Sequence, residues 1–259
     1  MHRTLSLILE AKKKRIAVLR KNSDAIRALV KKAPTPISFK NAIKRDGKLS
    51  LIAEVKQASP LTGVLCKDFS PLKIAKIYES AKVNAISVLT EEEFFMGKIN
   101  DIEEIKGRVK VPILRKDFIL EEVQVLESRA VGADAILLIA SILEEERFTK
   151  LYSLAKDLGM DVLAEVHSEK ELRKILSLGV DIVGINNRNL HTLKVDIVKT
   201  QKLAPFIPAD IIKVSESGIR SLKDILWLKG LGVDAVLVGR AIMESEDFAS
   251  KIKEFQIDG

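Results

Sequence analysis

"GADAILL" (132–138), "GVDIVGI" (179–185) and "GVDAVLV" (232–238) are three versions of one joint: a Gly, a small or branched residue, an Asp, then a run of mostly apolar residues. A Gly just past a helix closes it in the left-handed conformation at little steric cost. An apolar run without alternation is what a strand buried on both faces requires. Each joint therefore reads as a helix stop feeding a strand.

The same unit can be traced outward through the chain. The apolar runs are "LIAEVK" (51–56), "AISVLT" (85–90), "VPILRK" (111–116), "AILLIA" (135–140), "DVLAEV" (161–166), "IVGINN" (182–187), "IIKVSES" (211–217) and "AVLVG" (235–239). Helical patterns lie between them, among them "PLKIAKIYESA" (71–81), "EERFTKLYSLAKDLG" (145–159) and "SLKDILWLKGLG" (221–232), and Gly159 supplies a fourth helix stop. Strands alternating with helices make parallel βαβ units, and eight of them predict a closed (β/α)8 TIM barrel over residues 51–259, with "SEDFASKIKEF" (245–255) as the last helix. An open doubly wound sheet fits less well, because no G-x-G-x-x-G follows the first strand.

At 259 residues the chain suits a single barrel, and at 47% hydrophobic but 5% aromatic its core must be aliphatic. Residues 1–50 hold 14 Lys and Arg against 3 Asp and Glu, and the remainder 29 against 33, so the overall charge of +7 belongs to an N-terminal segment. Its apolar residues Leu5, Ile8, Ile16, Leu19, Ile26, Leu29 and Val30 recur at roughly helical spacing, which predicts a helical extension whose cations are solvated. A polyanion-binding arm is the rival reading; no nucleic-acid partner is expected.

The lone Cys66 excludes an intramolecular disulfide framework, and His2, His167 and His191 are scattered, so no metal is expected. No apolar run approaches the ~20 residues of a membrane span. "LSLILEA" (5–11) leads into "KKKR" rather than a small-residue cleavage site. A cytoplasmic protein without membrane contact, a monomer or weak homo-oligomer, is the expectation.

Barrel chemistry sits where strands end. The first run ends in Glu54 and Lys56, two apart and so on one face, the third in Arg115, Lys116 and Asp117, and the fifth carries Glu165. The sixth ends in Asn186, Asn187 and Arg188, the seventh in Ser215, Glu216 and Ser217 before Gly218, and the eighth in Gly239 and Arg240. Lysines and glutamates converging on one mouth are costly to bury unless paired or used, so an active site is expected there. Gly218 and Gly239 permit close backbone approach and point to a phosphate, with Ser59 of "SPLTG" (59–63) as a hydroxyl donor.

"IAEVKQASP" (52–60), "ISVLTEEEFFMG" (86–97), "VPILRKDFI" (111–119), "GADAILLI" (132–139), "LAEVHSEKEL" (163–172), "GINNRNL" (184–190) and "VSESGI" (214–219) together resemble indole-3-glycerol-phosphate synthase, the tryptophan-pathway lyase. The resemblance spans about 51–243 and implies a barrel with N-terminal helices over its C-terminal face. It also implies acid/base ring closure of a phosphorylated carboxyanilino sugar without a cofactor. By position it implies Lys116 as acid, Glu165 as base, Lys56 as a second acid or carboxylate partner, and Glu54 and Asn186 as ligands of sugar hydroxyls. Arg188, Glu216 and Ser217 would contact substrate, Phe95, Phe118 and Leu137 would wall its aromatic ring, and phosphate would lie among Lys56, Ser59, Gly218, Gly239 and Arg240. Lys116, partly buried and near other cations, is expected to have its pKa lowered toward neutrality. Arg115, on the opposite side of its strand, should serve structure. Two positions depart from the family pattern: Arg240 replaces a small residue or Glu, and Leu61 a serine. The enzymatic rival is a Schiff-base aldolase using Lys116 or Lys56 as nucleophile.

Overall fold

The computed structural model describes residues 3–45, 47–66, 68–190 and 192–256. Eight parallel strands close a barrel: β1 Ser50–Val55, β2 Ala85–Leu89, β3 Ile113–Lys116, β4 Ala135–Ile139, β5 Asp161–Val166, β6 Ile182–Asn186, β7 Ile212–Glu216 and β8 Ala235–Val238. Neighbours in sequence are neighbours in the barrel, and β1 pairs with β8 to close it. Every anticipated run coincides with one strand to within two residues at either end, and β1 begins one residue before its run. The four helix-stop glycines, 132, 159, 179 and 232, take positive φ of 88°, 78°, 72° and 73°.

Alternation sorts the side chains into two layers. Ile52, Leu114, Leu137, Leu163, Ile182, Ile212, Val214 and Leu237 belong to the barrel interior. Their neighbours Ile86, Ile113, Ile136, Val162, Val183 and Val236 pack outward against the helices. Register then sets the mouth: Glu54 lies opposite Ser87, Lys116 opposite Leu89, Glu165 opposite Ile139 and Gly184, and Glu216 opposite both Asn186 and Leu237.

The N-terminal segment engages both ends of the barrel. Helix Arg3–Lys21 lies across the C-terminal face, where Leu5 and Ile8 join one buried cluster with Phe118, Leu137 and Ile139. Lys12 pairs with Asp117 at 2.8 Å, Arg15 with Glu127 at 2.7 Å and Arg20 with Glu121 at 2.6 Å. Ile26 of helix Ser23–Val30 packs beside Val123 and Leu126 on the barrel flank.

The extension does more than cover the mouth. Helix Phe39–Ile43 seals the opposite end, with Phe39 and Ile43 fully buried in the interior cluster beside Ile52, Ala85, Ile182, Ile212 and Ala235. The aspartates of the three joints hold it there. Asp134 accepts from the Ile37 backbone N–H at 2.6 Å, Asp181 from Lys40 Nζ at 2.7 Å and Asp234 from Lys44 Nζ at 2.8 Å. Asp161, at the start of β5, accepts from the Lys40 backbone N–H at 2.8 Å. A barrel interior left open at its base would expose apolar side chains to water. Part of the extension closes it instead.

Candidate active site

All fifteen site residues named from the sequence line one cavity of about 920 Å3 at the C-terminal mouth. At its centre is the Lys116 ammonium, 2.5 Å from Glu216 Oε2 and 3.6 Å from Glu165 Oε2. Lys56 pairs with Glu54, two residues before it at the tip of β1. These five side chains come from β3, β7, β5 and β1, with Lys56 one residue beyond β1, so their convergence depends on barrel closure.

The electrostatics follow from that geometry. Burial alone would depress the Lys116 ammonium, but Glu216, Glu165 and Glu54 outweigh it and hold the lysine above its ordinary value. The expected lowering is thus overturned, because three carboxylates rather than neighbouring cations face Nζ. Burial would raise the Glu165 carboxyl, but Lys116 and His167 hold it well below the usual range. Glu54 is likewise held low against burial, by Lys56 and then Lys116. Glu216 moves the other way: burial, with Glu165 and Glu54 close by, outweighs Lys116 and pushes it up. The cluster therefore holds a charged amine, an ionised carboxylate and a carboxyl that readily carries a proton.

Two glycines make this packing possible. A Cβ on Gly239 would lie 2.2 Å from Glu54 Oε1 and 2.9 Å from Lys56 Nζ. A Cβ on Gly184 would lie 2.2 Å from Glu216 Oε1. Any larger residue at either position would displace a carboxylate of the cluster.

The outer part of the cavity is cationic. Arg188 is half-buried and its pKa is lowered, first by burial and then by Arg240 and Arg220, which face the same space. Arg188 Nη1 also donates to the Leu193 carbonyl at 2.9 Å. Ser217 and Gly218 both take left-handed backbone, with φ of 67° and 87°, which turns the chain sharply at the end of β7. Ser59 shares a 2.7 Å hydrogen bond with Thr62. Leu61, 52% exposed, is a rim residue. The opposite wall is apolar, formed by Phe95, Phe118, Leu137 and Ile139 with Leu5 and Ile8 of the N-terminal helix.

Arg115 is buried on the far side of β3, as expected. It donates to the Gln124 carbonyl at 3.1 Å and Ser128 Oγ at 3.0 Å, and pairs with Asp117 and Glu127, each at 3.0 Å. Four contributors were not legible in the sequence. Helical spacing gives Leu5 and Ile8 a buried face but not a place in the cavity wall, and no local pattern marks Arg220. His167 was dismissed for want of a metal cluster, although its spacing of two from Glu165 gave a signal. Among the described residues, no group of three or more His, Cys, Asp or Glu could hold a metal ion, and no helix is long and apolar enough to cross a membrane.

A closed (β/α)8 barrel with paired lysines and glutamates at its C-terminal mouth, between an apolar wall and an arginine-lined rim, defines a barrel enzyme equipped for acid/base chemistry on a small anionic molecule. Solved structures agree on the fold. The chain superposes on 3-hexulose-6-phosphate synthase from Salmonella typhimurium with a TM-score of 0.63 at 16% identity, covering 80% of this chain and 96% of that one. It superposes on thiamine phosphate pyrophosphorylase from Pyrococcus furiosus with a TM-score of 0.61 at 17% identity, covering 81% and 94%.

Sequence comparison is more specific. The family model described as indole-3-glycerol phosphate synthase matches residues 5–255. The indole-3-glycerol phosphate synthase of Acetivibrio thermocellus is 50% identical over 221 residues, 85% of each chain. That of Desulforamulus reducens is 42% identical over 258 residues, 98% of this chain and 97% of its own. The chain belongs to the indole-3-glycerol phosphate synthase family.

Proposed function

We propose that the protein is a carbon–carbon carboxy-lyase of tryptophan biosynthesis. It closes 1-(2-carboxyphenylamino)-1-deoxyribulose 5-phosphate to indole-3-glycerol phosphate, with loss of CO2 and water. The observation that carries this reading is the Lys116 ammonium held 3.6 Å from the Glu165 carboxylate at the floor of a cavity with one apolar and one cationic wall. Each face suits one part of the substrate.

The anthranilate ring packs on Phe95, Phe118 and Leu137, whose apolar surface matches a planar aromatic. The phosphate lies at the other end among Lys56, Ser59, Gly218, Gly239 and Arg240, and Arg188 and Ser217 contact the chain between. Ring closure places negative charge on the ribulose carbonyl oxygen. Lys116, kept charged by its carboxylates, stabilises that oxygen and donates to it as its basicity rises. Glu216, pushed up and 2.5 Å from Nζ, is placed to return the proton. Decarboxylation then removes the ring carboxylate. In dehydration the ionised Glu165 accepts the aniline N–H proton, while Lys56, oriented by Glu54, assists departure of the hydroxyl. Asn186 and Glu54 bind sugar hydroxyls.

The ion pairing weighs against a Schiff-base aldolase, since that chemistry needs a neutral amine and Lys116 is held protonated. The test is incubation with the synthetic carboxyanilino sugar phosphate while indole fluorescence is followed. Growth of indole emission is expected. Saturable binding without emission, or a borohydride-trapped lysine adduct, would overturn the reading.

A further inference from the structure

His167 is the first residue beyond β5, and its side chain is 9% exposed. Its Nε2 lies 3.2 Å from Glu165 Oε1 and its Nδ1 lies 3.4 Å from Glu171 Oε2. A neutral imidazole carries one N–H and one lone pair. Between two carboxylates, a neutral ring would set its lone pair against an acceptor. Neither ring nitrogen has an aligned hydrogen-bond partner, so what the ring can offer both carboxylates is charge, which it carries only when both nitrogens are protonated.

Glu171 is itself fixed. It stands in the first turn of helix Glu169–Leu176, its Oε2 accepts the His167 backbone N–H at 2.7 Å, and its Oε1 accepts from Ser168 Oγ at 2.9 Å. The loop at the end of β5 thus holds the Glu171 carboxylate beside the imidazole ring, and the ring lies against the Glu165 oxygen turned away from Lys116.

We propose that His167 is a positioning residue that, as an imidazolium held by Glu171, fixes the Glu165 carboxylate in its ionised form and aims its other oxygen at Lys116 and the substrate. The proposal rests on Glu165 acting as the base, as argued above. The surrounding charges are consistent with it. Burial would lower the His167 ring, but Glu165 and Glu171 outweigh burial and bring it up to about 9. Lys199, from helix Val198–Leu203, also feels Glu171, Glu165 and Asp196, but its Nζ donates to the Asn186 carbonyl at 2.9 Å. Lys116 and Glu216 act on Glu165 from the cavity side. His167 therefore supplies the positive charge on the Glu165 oxygen that Lys116 does not reach.

The test has two arms. In 15N NMR of the whole protein, with His167→Gln assigning the signal among the chain's three histidines, His167 should read as a doubly protonated ring at neutral pH. A neutral tautomer there would overturn the proposal. In steady-state kinetics, His167→Gln should lower kcat about tenfold with KM within about twofold, and should move the acid limb of the kcat profile up by about one pH unit or more, the signature of a base that has lost a stabilising cation. Glu171→Gln should shift the limb in the same direction by less. An unchanged acid limb, or a loss confined to KM, would overturn the positioning role. If the wild-type protein gave no indole, the proposed reaction would fail; the NMR arm would still decide the charge state, and a carboxyl 13C titration of Glu165 in wild type and His167→Gln would decide the coupling.

Discussion

Replacing Lys116 with Met removes the ammonium shared by Glu165 and Glu216 while keeping an unbranched side chain in its place. A unit pair at the observed 3.6 Å interacts by about 5 kcal/mol at an effective dielectric near 20. Breaking a buried pair typically destabilises by about 3–5 kcal/mol. The fold can limit that loss by taking up protons, because a carboxyl without its cation is better neutral when buried. The cost then depends on pH. In the wild type Glu165 is held low, so its contribution is present above its unfolded pKa and is lost only as pH falls through the lower native value. In the variant the carboxyls are raised, so they contribute fully below the unfolded pKa and lose that contribution as pH rises toward the raised native value. The stability gap should therefore widen with pH, by about 1.4 kcal/mol per unit for each carboxyl that binds a proton. For one carboxyl that is roughly 3 kcal/mol between about pH 5.5 and about pH 7.5. Urea unfolding followed by far-UV circular dichroism at several pH values measures it, alongside a turnover loss of about 10²–10⁴-fold. Parallel stability curves for the two proteins would refute the argument that Lys116 neutralises the cluster.

Other substitutions separate the parts of the site. Glu165→Gln should cut kcat by about 10²–10⁴-fold with KM little changed, measured by indole emission under saturating substrate. Arg240→Ala should raise KM about tenfold and leave kcat near wild type, because its guanidinium lies at the cationic end of the cavity, where the substrate's phosphate is proposed to sit; equal losses in kcat would place it in the chemistry instead. Phe39→Ala should lower unfolding stability by about 3–5 kcal/mol while kcat and KM at low temperature stay unchanged, since it fills the barrel base and not the mouth. Asp117, brought down to about 2 by Arg115 and Lys12 against the opposing effect of burial, contributes stability that is present above its unfolded pKa and lost as pH falls through about 2, so Asp117→Asn should be less stable than wild type at neutral pH and flatten the acid limb of the unfolding curve.

What the sequence revealed and what it hid divide along physical lines. "DVLAEV" matches β5 at both ends because a buried strand between a Gly stop and a Ser cap is locally determined. Lys116 and Glu165 could be placed at the mouth because period-two alternation and strand direction fix both face and end. The ionisation of Lys116 was misjudged because it depends on Glu54, Glu165 and Glu216 arriving from three other strands, and no local pattern counts them. Phe39 was hidden for the same reason. The partners of "ISFKNAI" (37–43) at Asp134, Asp161 and Asp181 lie about a hundred or more residues away, so no local pattern announces them. His167 failed differently: its spacing from Glu165 was visible, but the carboxylate pair that gives it a role includes Glu171 on the following helix.

The tripeptide Arg115-Lys116-Asp117 links these observations. Alternation sends Lys116 into the barrel, while Arg115 and Asp117 form a buried network behind it. Arg115 ties that network to helix Glu122–Ala130 through Gln124, Ser128 and Glu127, and Asp117 ties it to the N-terminal helix through Lys12. Arg15 reaches the same Glu127 from the N-terminal helix. The basic surplus of residues 1–50 is thus partly matched by carboxylates on the barrel, at the mouth through Asp117, Glu127 and Glu121 and at the base through Asp181 and Asp234. A helix that contributes Leu5 and Ile8 to the cavity wall is bolted to the strand that carries the ammonium, one residue from it. Apolar wall and reacting amine consequently share one rigid support, and a shift of the helix large enough to open the wall must also strain the tip of β3. In such an arrangement binding of an aromatic ring and placement of the proton donor are coupled through a buried ion pair rather than left to two independent loops.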